Sequence, residues 1–143
     1  MAVSATMANK IKYLIATKQI DFSSDTFKCC LMNTTFSFDK DTHHYYSDIA
    51  GDELANGNGY TTGGQTLTGV TVTENDSADR TDVAWNNPTW TASGGSIGGS
   101  CYAIVYDDTV TEKPILGCID FDSTQTAATG ENFLISTVAF RLT

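Results

Sequence analysis

Histidine and aspartate residues are the side chains of this sequence best suited to chemistry. The only two histidines, His43 and His44, are adjacent. Four aspartates flank them: Asp39, Asp41, Asp48 and Asp52. Imidazole and carboxylate groups can bind zinc, but two adjacent histidines in regular structure do not easily point at one ion. The segment also lacks the glycine and terminal glutamate of a calcium loop. We therefore predict a solvated polar loop and no metal site.

A second acidic group lies in the last third of the chain, at Asp107, Asp108, Asp120 and Asp122. Two carboxylates can cleave a glycosidic bond when a cleft raises the pKa of one of them. Aspartates are also common turn residues, and we interpret these as such. The sequence contains neither a GxSxG nucleophile motif nor the Lys-Ser/Thr of a phosphate-binding loop. We predict no catalytic residue, no cofactor site and no metal ligand, and thus a protein that is not an enzyme.

Aromatic residues form the first candidate binding feature. Trp85 and Trp90, with Tyr45, Tyr46 and Tyr60, could build a platform for a sugar or a protein partner. The alternative is that both tryptophans belong to the core or lie half-buried on a sheet. The second candidate is the small, polar N-terminal segment of residues 1–9, which we expect to be an extended arm held by a neighbouring chain. The candidate partner contacts are Met1, Ala2, Val3, Tyr45, Tyr46, Trp85 and Trp90.

Length and charge limit the classes of protein and partner. The chain has 143 residues, of which 41% are hydrophobic, enough for one domain with a real core. The formal net charge of -9 argues against a nucleic-acid partner. No stretch approaches the roughly 20 apolar residues of a membrane span, so no membrane partner is expected.

The composition and the apolar spacing predict the elements that would position these residues. The chain contains 22 threonines and 12 glycines, which favour strands and turns over helices. A short helix is predicted within residues 11–20. Residues 101–106 have no polar face and should form a central strand that is covered on both sides. Strand bulges are predicted at Gly69 and near residues 136–137.

We therefore predict an all-β fold, a β-sandwich or jelly-roll-like barrel. It should have seven to eight short antiparallel strands and a short N-terminal helix. Residues 1–9 would be the arm, and residues 10–143 a single β-sandwich domain.

The four cysteines allow two interpretations. Cys29 and Cys30 are neighbours, so on a strand they point to opposite faces. Cys101 and Cys118 lie in two apolar runs, and one antiparallel register would place them opposite each other, where a disulfide could form. Cysteine also packs as a small apolar residue, and buried free thiols are the interpretation that we prefer.

Several short motifs, in this order and spacing, resemble a family. The first reads "GYT-x-GG-x-x-L", with Gly59-Tyr60-Thr61-Thr62-Gly63-Gly64 followed by Leu67. Residues 102–109 (YAIVYDDT) and 113–121 (KPILGCIDF) follow, and an opening "IDFSSDTFK" precedes them at residues 20–28. Together they resemble a group of small virion proteins of tailed bacteriophages over residues 10–142. Family members often have glycine after the Asp-Phe pair, where this chain has Asp122.

The resemblance implies a structural role in a virion. It implies a capsid decoration or cement protein on the outer surface of the phage head, homo-oligomeric and in contact with the major capsid protein or other virion proteins. A neck, collar or tail protein is the alternative within the same family. A carbohydrate-binding or host-adhesion module is the alternative from the aromatic residues.

Overall fold

The structure is a computed structural model that describes residues 4–143. Two short helices are present, α1 (Asn9–Ala16) and α2 (Tyr46–Ile49). The strands are β1 (Ser4–Met7), β2 (Phe27–Asn33), β3 (Gln65–Thr66), β4 (Thr71–Asn75), β5 (Arg80–Trp85), β6 (Thr89–Thr91), β7 (Ile97–Asp107), β8 (Ile115–Ala127), β9 (Asn132–Leu134) and β10 (Val138–Leu142). No helix of residues 4–143 has both the length and the apolar character needed to cross a membrane.

All strand pairs are antiparallel, and they form three sheets. The largest has the order β1-β8-β7-β2-β3, the second β10-β5-β4 and the third β6-β9. The predicted all-β, sandwich-like class is confirmed. The described residues form ten strands where seven to eight were predicted, because β1 was not predicted and residues 66–73 and 133–142 each divide between two sheets.

The five-stranded sheet is covered on both faces. On one face the first core packs β2, β7 and β8 against β5, β10 and helix α1, burying Phe27, Leu31, Val83, Val105, Phe121 and Phe140, among others. On the other face a smaller second core buries Cys30, Met32, Phe36, Ile49, Ile104, Tyr106, Ile115 and Cys118. Of residues 101–106, which were predicted as a central strand covered on both sides, residues 103–106 are buried, and Cys101 and Tyr102 are half-buried.

The N-terminal segment differs from the predicted arm. Ser4–Met7 form strand β1, which pairs with β8 of the same chain, with Ser4 opposite Asp120 and Met7 opposite Gly117. Residues 4–7 are thus held by their own chain, and contact of this segment with a neighbouring chain stays a prediction. Backbone pairing forms this strand with little help from apolar side chains, because only Met7 of the four residues is buried. The predicted contacts Met1, Ala2 and Val3 lie outside the described residues.

Two predicted bulges are places where the chain changes sheets or strands. Gly69 has a φ of 66° between β3 in the large sheet and β4 in the three-stranded sheet. The break near residues 136–137 separates β9 from β10, which also belong to different sheets. At both sites the apolar residues switch between odd and even positions of the sequence. Either a bulge within a strand or a change from one sheet to another produces this switch. The sequence therefore located both sites but did not show which of the two structures is present.

The cysteines are free thiols, as preferred above. Cys29 belongs to the first core and Cys30 to the second, which confirms that they point to opposite faces. Cys118 lies opposite Ile104 in the β7–β8 register, so it does not face Cys101.

Candidate functional site

The two tryptophans do not form a binding surface. Trp85 is only 7% exposed and its ring lies 5.1 Å from that of Phe27, between centroids. Trp90 is 3% exposed and packs near Tyr60 and Phe133, at 6.0 and 6.3 Å. Both were predicted as candidate partner contacts, and this is wrong because their large apolar rings are buried in the first core. The aromatic platform is therefore absent from the described residues.

The two adjacent tyrosines have different environments. Tyr45 is half-buried just before α2, and its ring meets the His44 ring edge-on at 6.1 Å. Tyr46 packs inward, with its ring centroid 4.8 Å from that of Tyr106 and its hydroxyl donating to Glu53. Tyr45 can thus offer an aromatic surface to a partner, whereas Tyr46 mainly braces the fold.

Glu53 is the centre of a polar network that the sequence did not reveal. Its Oε1 accepts hydrogen bonds from the Tyr60 hydroxyl at 2.5 Å and the Gly63 N–H at 2.7 Å. The Tyr60 hydroxyl in turn accepts from the Leu31 N–H at 3.0 Å. The Tyr106 hydroxyl donates to the Gly63 carbonyl at 2.6 Å. We call Glu53, Tyr46, Tyr60, Gly63 and Tyr106 the Glu53 network.

The network holds the glycine-rich motif against the large sheet. Burial, followed by the proximity of Glu53 or Cys30, raises the pKa values of Tyr46, Tyr60 and Tyr106. These hydroxyls therefore stay protonated near neutral pH and act as hydrogen-bond donors. Gly64 completes the attachment, because a Cβ there would lie 1.9 Å from the Cys29 carbonyl oxygen. The arrangement is a structural brace.

A pair of carboxyl groups lies at the β7–β8 turn. Asp107 is fully buried, and its Oδ1 accepts from the N–H groups of Thr109 at 2.8 Å and Val110 at 3.3 Å. Its buried Oδ2 has no hydrogen-bond donor among the described residues. The Asp25 carboxyl lies within hydrogen-bonding reach of Asp107. Desolvation and this neighbour raise the pKa of Asp107 to about 7.

The remaining acidic residues do not join this pair. Asp108 forms ion pairs with Lys113 at 2.8 Å and Lys28 at 3.8 Å. Asp120 instead lies opposite Tyr102 further along the sheet, where its Oδ1 accepts from the Asp122 N–H at 2.8 Å. The four aspartates singled out in the sequence therefore occupy two separate places.

The histidines bind the backbone of their own loop. The Nδ1 of His43 accepts from the Asp39 N–H at 3.0 Å, and its ring stacks on Phe36 at 5.5 Å. The Nε2 of His44 lies 2.8 Å from the Asp41 carbonyl oxygen. Within residues 4–143, no group of three or more His, Cys, Asp or Glu side chains is placed to hold a metal ion.

A cleft of about 620 Å³ opens between β1, the loop of residues 37–41 and the outer end of the large sheet. Its walls include Tyr102 and Cys118 on the sheet, and three aspartates, Asp39, Asp41 and Asp120, against one lysine, Lys40. The Asp41 N–H donates a hydrogen bond to Oδ1 of Asp39 at 2.9 Å. This backbone donation lowers the pKa of Asp39, so its carboxylate stays ionised near neutral pH. The cleft is thus an acidic surface.

Comparison of the chain with models of known protein families, with curated proteins and with solved structures finds no match.

Proposed function

We propose that this chain is a non-enzymatic structural protein of a bacteriophage virion, a capsid decoration or cement protein on the outer surface of the head. Its partners are the major capsid protein or other virion proteins, and it acts through contacts. The acidic net charge of -9 suits a component that stays off the packaged DNA.

The observation that carries the proposal is the backbone conformation of the motif glycines. Gly59, Gly63 and Gly64 have φ values of 94°, 93° and 79°. Asp122, at the position where the resembling family often has glycine, has a φ of 62°. Residues with a Cβ rarely adopt this left-handed region, so a recurrent glycine is the residue that each position favours. The family pattern thus fits the backbone of this chain even where the residue departs from it.

The burial of Trp85 and Trp90 removes the observation that favoured a carbohydrate-binding or host-adhesion module. A neck, collar or tail component differs from a decoration protein mainly in copy number, so the test is designed to separate the two.

The test is the stoichiometry of this chain in purified phage particles. Quantitative gel densitometry, calibrated with the purified protein and normalised to the major capsid protein, should show nearly equal copy numbers. A few to a few dozen copies per particle would place the chain in the neck or tail. Absence of the chain from purified particles would contradict a virion role altogether, and a cryo-EM map of the particle would show its position.

A further inference from the structure

Strand β4 is a sheet edge. Among residues 4–143 it pairs only with β5, at the end of the three-stranded sheet. Its first four residues, Thr71 to Glu74, are exposed. Natural edge strands are commonly protected by charged side chains, above all lysine, by proline or by a bulge, because open N–H and C=O groups can pair with another chain. β4 carries a single charge, Glu74 near its end, contains neither lysine nor proline, and has a regular register with β5.

The same edge leaves part of the first core uncovered. Val72 lies opposite the buried Val83 and therefore shares its core-facing side of the sheet, yet Val72 is 52% exposed. Beside it runs a groove of about 540 Å³ whose apolar lining includes Ile15, Ile20 and Phe22. An apolar side chain that entered from beyond β4 would cover Val72 and this groove together.

The charges at the edge suit a second copy of the chain. Glu74 shares the face of Val72, and the groove is lined by Lys18 and by Asp21, whose carboxylate accepts from the N–H and hydroxyl of Ser23. Neither Glu74 nor Lys18 takes part in an ion pair within the described residues. An antiparallel pair of β4 strands centred on Val72 would place Val72 opposite Val72, Thr71 opposite Thr73 and Glu74 opposite Val70. The two Glu74 side chains are then apart, and each lies on the face where the other copy carries Lys18.

From this geometry we propose that β4 is the interface of a two-fold dimer. Two β4 strands pair edge to edge and join the three-stranded sheets of two copies into one six-stranded sheet. Each Val72 helps to cover the groove of the partner copy. Such an isologous interface is self-complementary, as two-fold symmetry requires. The proposal goes beyond the virion role and stands independently of it.

The experiment measures self-association of the full chain by sedimentation velocity over a concentration series at physiological salt. The wild-type chain should change reversibly from monomer to dimer as concentration rises. Val72→Lys places a charge at the centre of the interface and should raise the dimer dissociation constant by at least about tenfold. Leu134→Lys is the matched control, because Leu134 is a 46% exposed aliphatic residue on β9, and its dimerisation should match the wild type.

A charge exchange tests the register. Glu74→Lys should weaken the dimer by about two- to fivefold, and adding Lys18→Glu should restore it. Circular dichroism and thermal melting confirm that each variant is folded. A wild-type chain that stays monomeric at all concentrations overturns the proposal, as does a folded Val72→Lys variant that dimerises like the wild type. Failure of the charge exchange to restore the dimer overturns the register centred on Val72.

Discussion

At the scale of single residues, the buried carboxyl of Asp107 has the strongest electrostatic perturbation of the acidic groups. One of its oxygens binds two backbone N–H groups of the β7–β8 turn, and the other is left without a donor beside Asp25. A proton on the Asp107 carboxyl would let this second oxygen donate a hydrogen bond to Asp25. The neighbouring charges of Asp108, Lys28 and Lys113 are already engaged with one another. The sequence named Asp107 but not Asp25, because 82 positions in the chain separate two residues that only folding brings together.

Asp107 should make the free energy of unfolding depend on pH. Its folded pKa, about 7, lies above the unfolded value near 3.9, so the folded state binds more protons between these values. The stabilisation is complete below about pH 4 and is lost as the pH rises through about 7, by on the order of 4 kcal/mol at about 1.4 kcal/mol per pKa unit. Asp107→Asn can donate to Asp25 and accept from the turn at any pH, so it should flatten this dependence.

Urea unfolding from mildly acidic to mildly alkaline pH measures this effect. The comparison uses the difference in free energy of unfolding between Asp107→Asn and the wild type, which should increase with pH. Asp76→Asn is the control at an exposed aspartate and should leave the wild-type profile unchanged. A difference that stays constant over the range would show that the pKa of Asp107 is not raised in the folded protein.

At the scale of elements, the sequence predicted best those strands that carry a clear pattern of apolar side chains. The central strand β7 was predicted from its two apolar faces, and the burial of residues 103–106 agrees. Strand β1 was missed because its exposed residues carry no apolar pattern and backbone pairing to β8 holds them.

The Glu53 network was missed for a related reason. Its members come from loops, a short helix and a strand. No helical or strand spacing therefore connects Glu53 with Tyr46 and Tyr60 in the sequence.

The left-handed residue in β8 gives a test at this scale. Asp122 has a φ of 62° within the irregular part of the β7–β8 pairing, where Tyr102 lies opposite Asp120 and Ser100 opposite Gln125. Asp122→Ala should lower the free energy of unfolding by about 1 kcal/mol, because a Cβ is strained there and alanine loses the tolerance of aspartate for this conformation. Asp122→Gly should equal or exceed the wild type by up to about 1 kcal/mol.

Chemical denaturation of the two variants measures the difference. Thr124 supplies the control on the same strand, because it is exposed and its φ is not in the left-handed region. There the order should reverse, with Thr124→Gly less stable than Thr124→Ala. Equal stability of the alanine and glycine variants at position 122 would contradict the left-handed backbone there, which is one of the observations that support the proposed function.

At the scale of the whole molecule, the two cores share one sheet. Strands β2 and β7 contribute alternate side chains to both, with Leu31 and Val105 in the first core and Met32 and Ile104 in the second. Loss of either core would leave these strands with one uncovered apolar face. Single domains of this size usually unfold in one transition, and the shared strands give a structural reason for that behaviour here.

The adjacent cysteines can report on the two cores separately, since Cys29 belongs to the first and Cys30 to the second. Burial raises the pKa of Cys29 to about 12 and that of Cys30 well above its usual range, so both thiols should react slowly in the folded protein. Two single-cysteine variants, each with the other three cysteines replaced by alanine or serine, isolate the two probes. Labelling of Cys29 and of Cys30 should begin at the same urea concentration, together with the fluorescence change of Trp85 and Trp90 in that variant. Labelling of Cys30 well before the fluorescence change would show that the second core opens independently and that the shared strands do not couple the two.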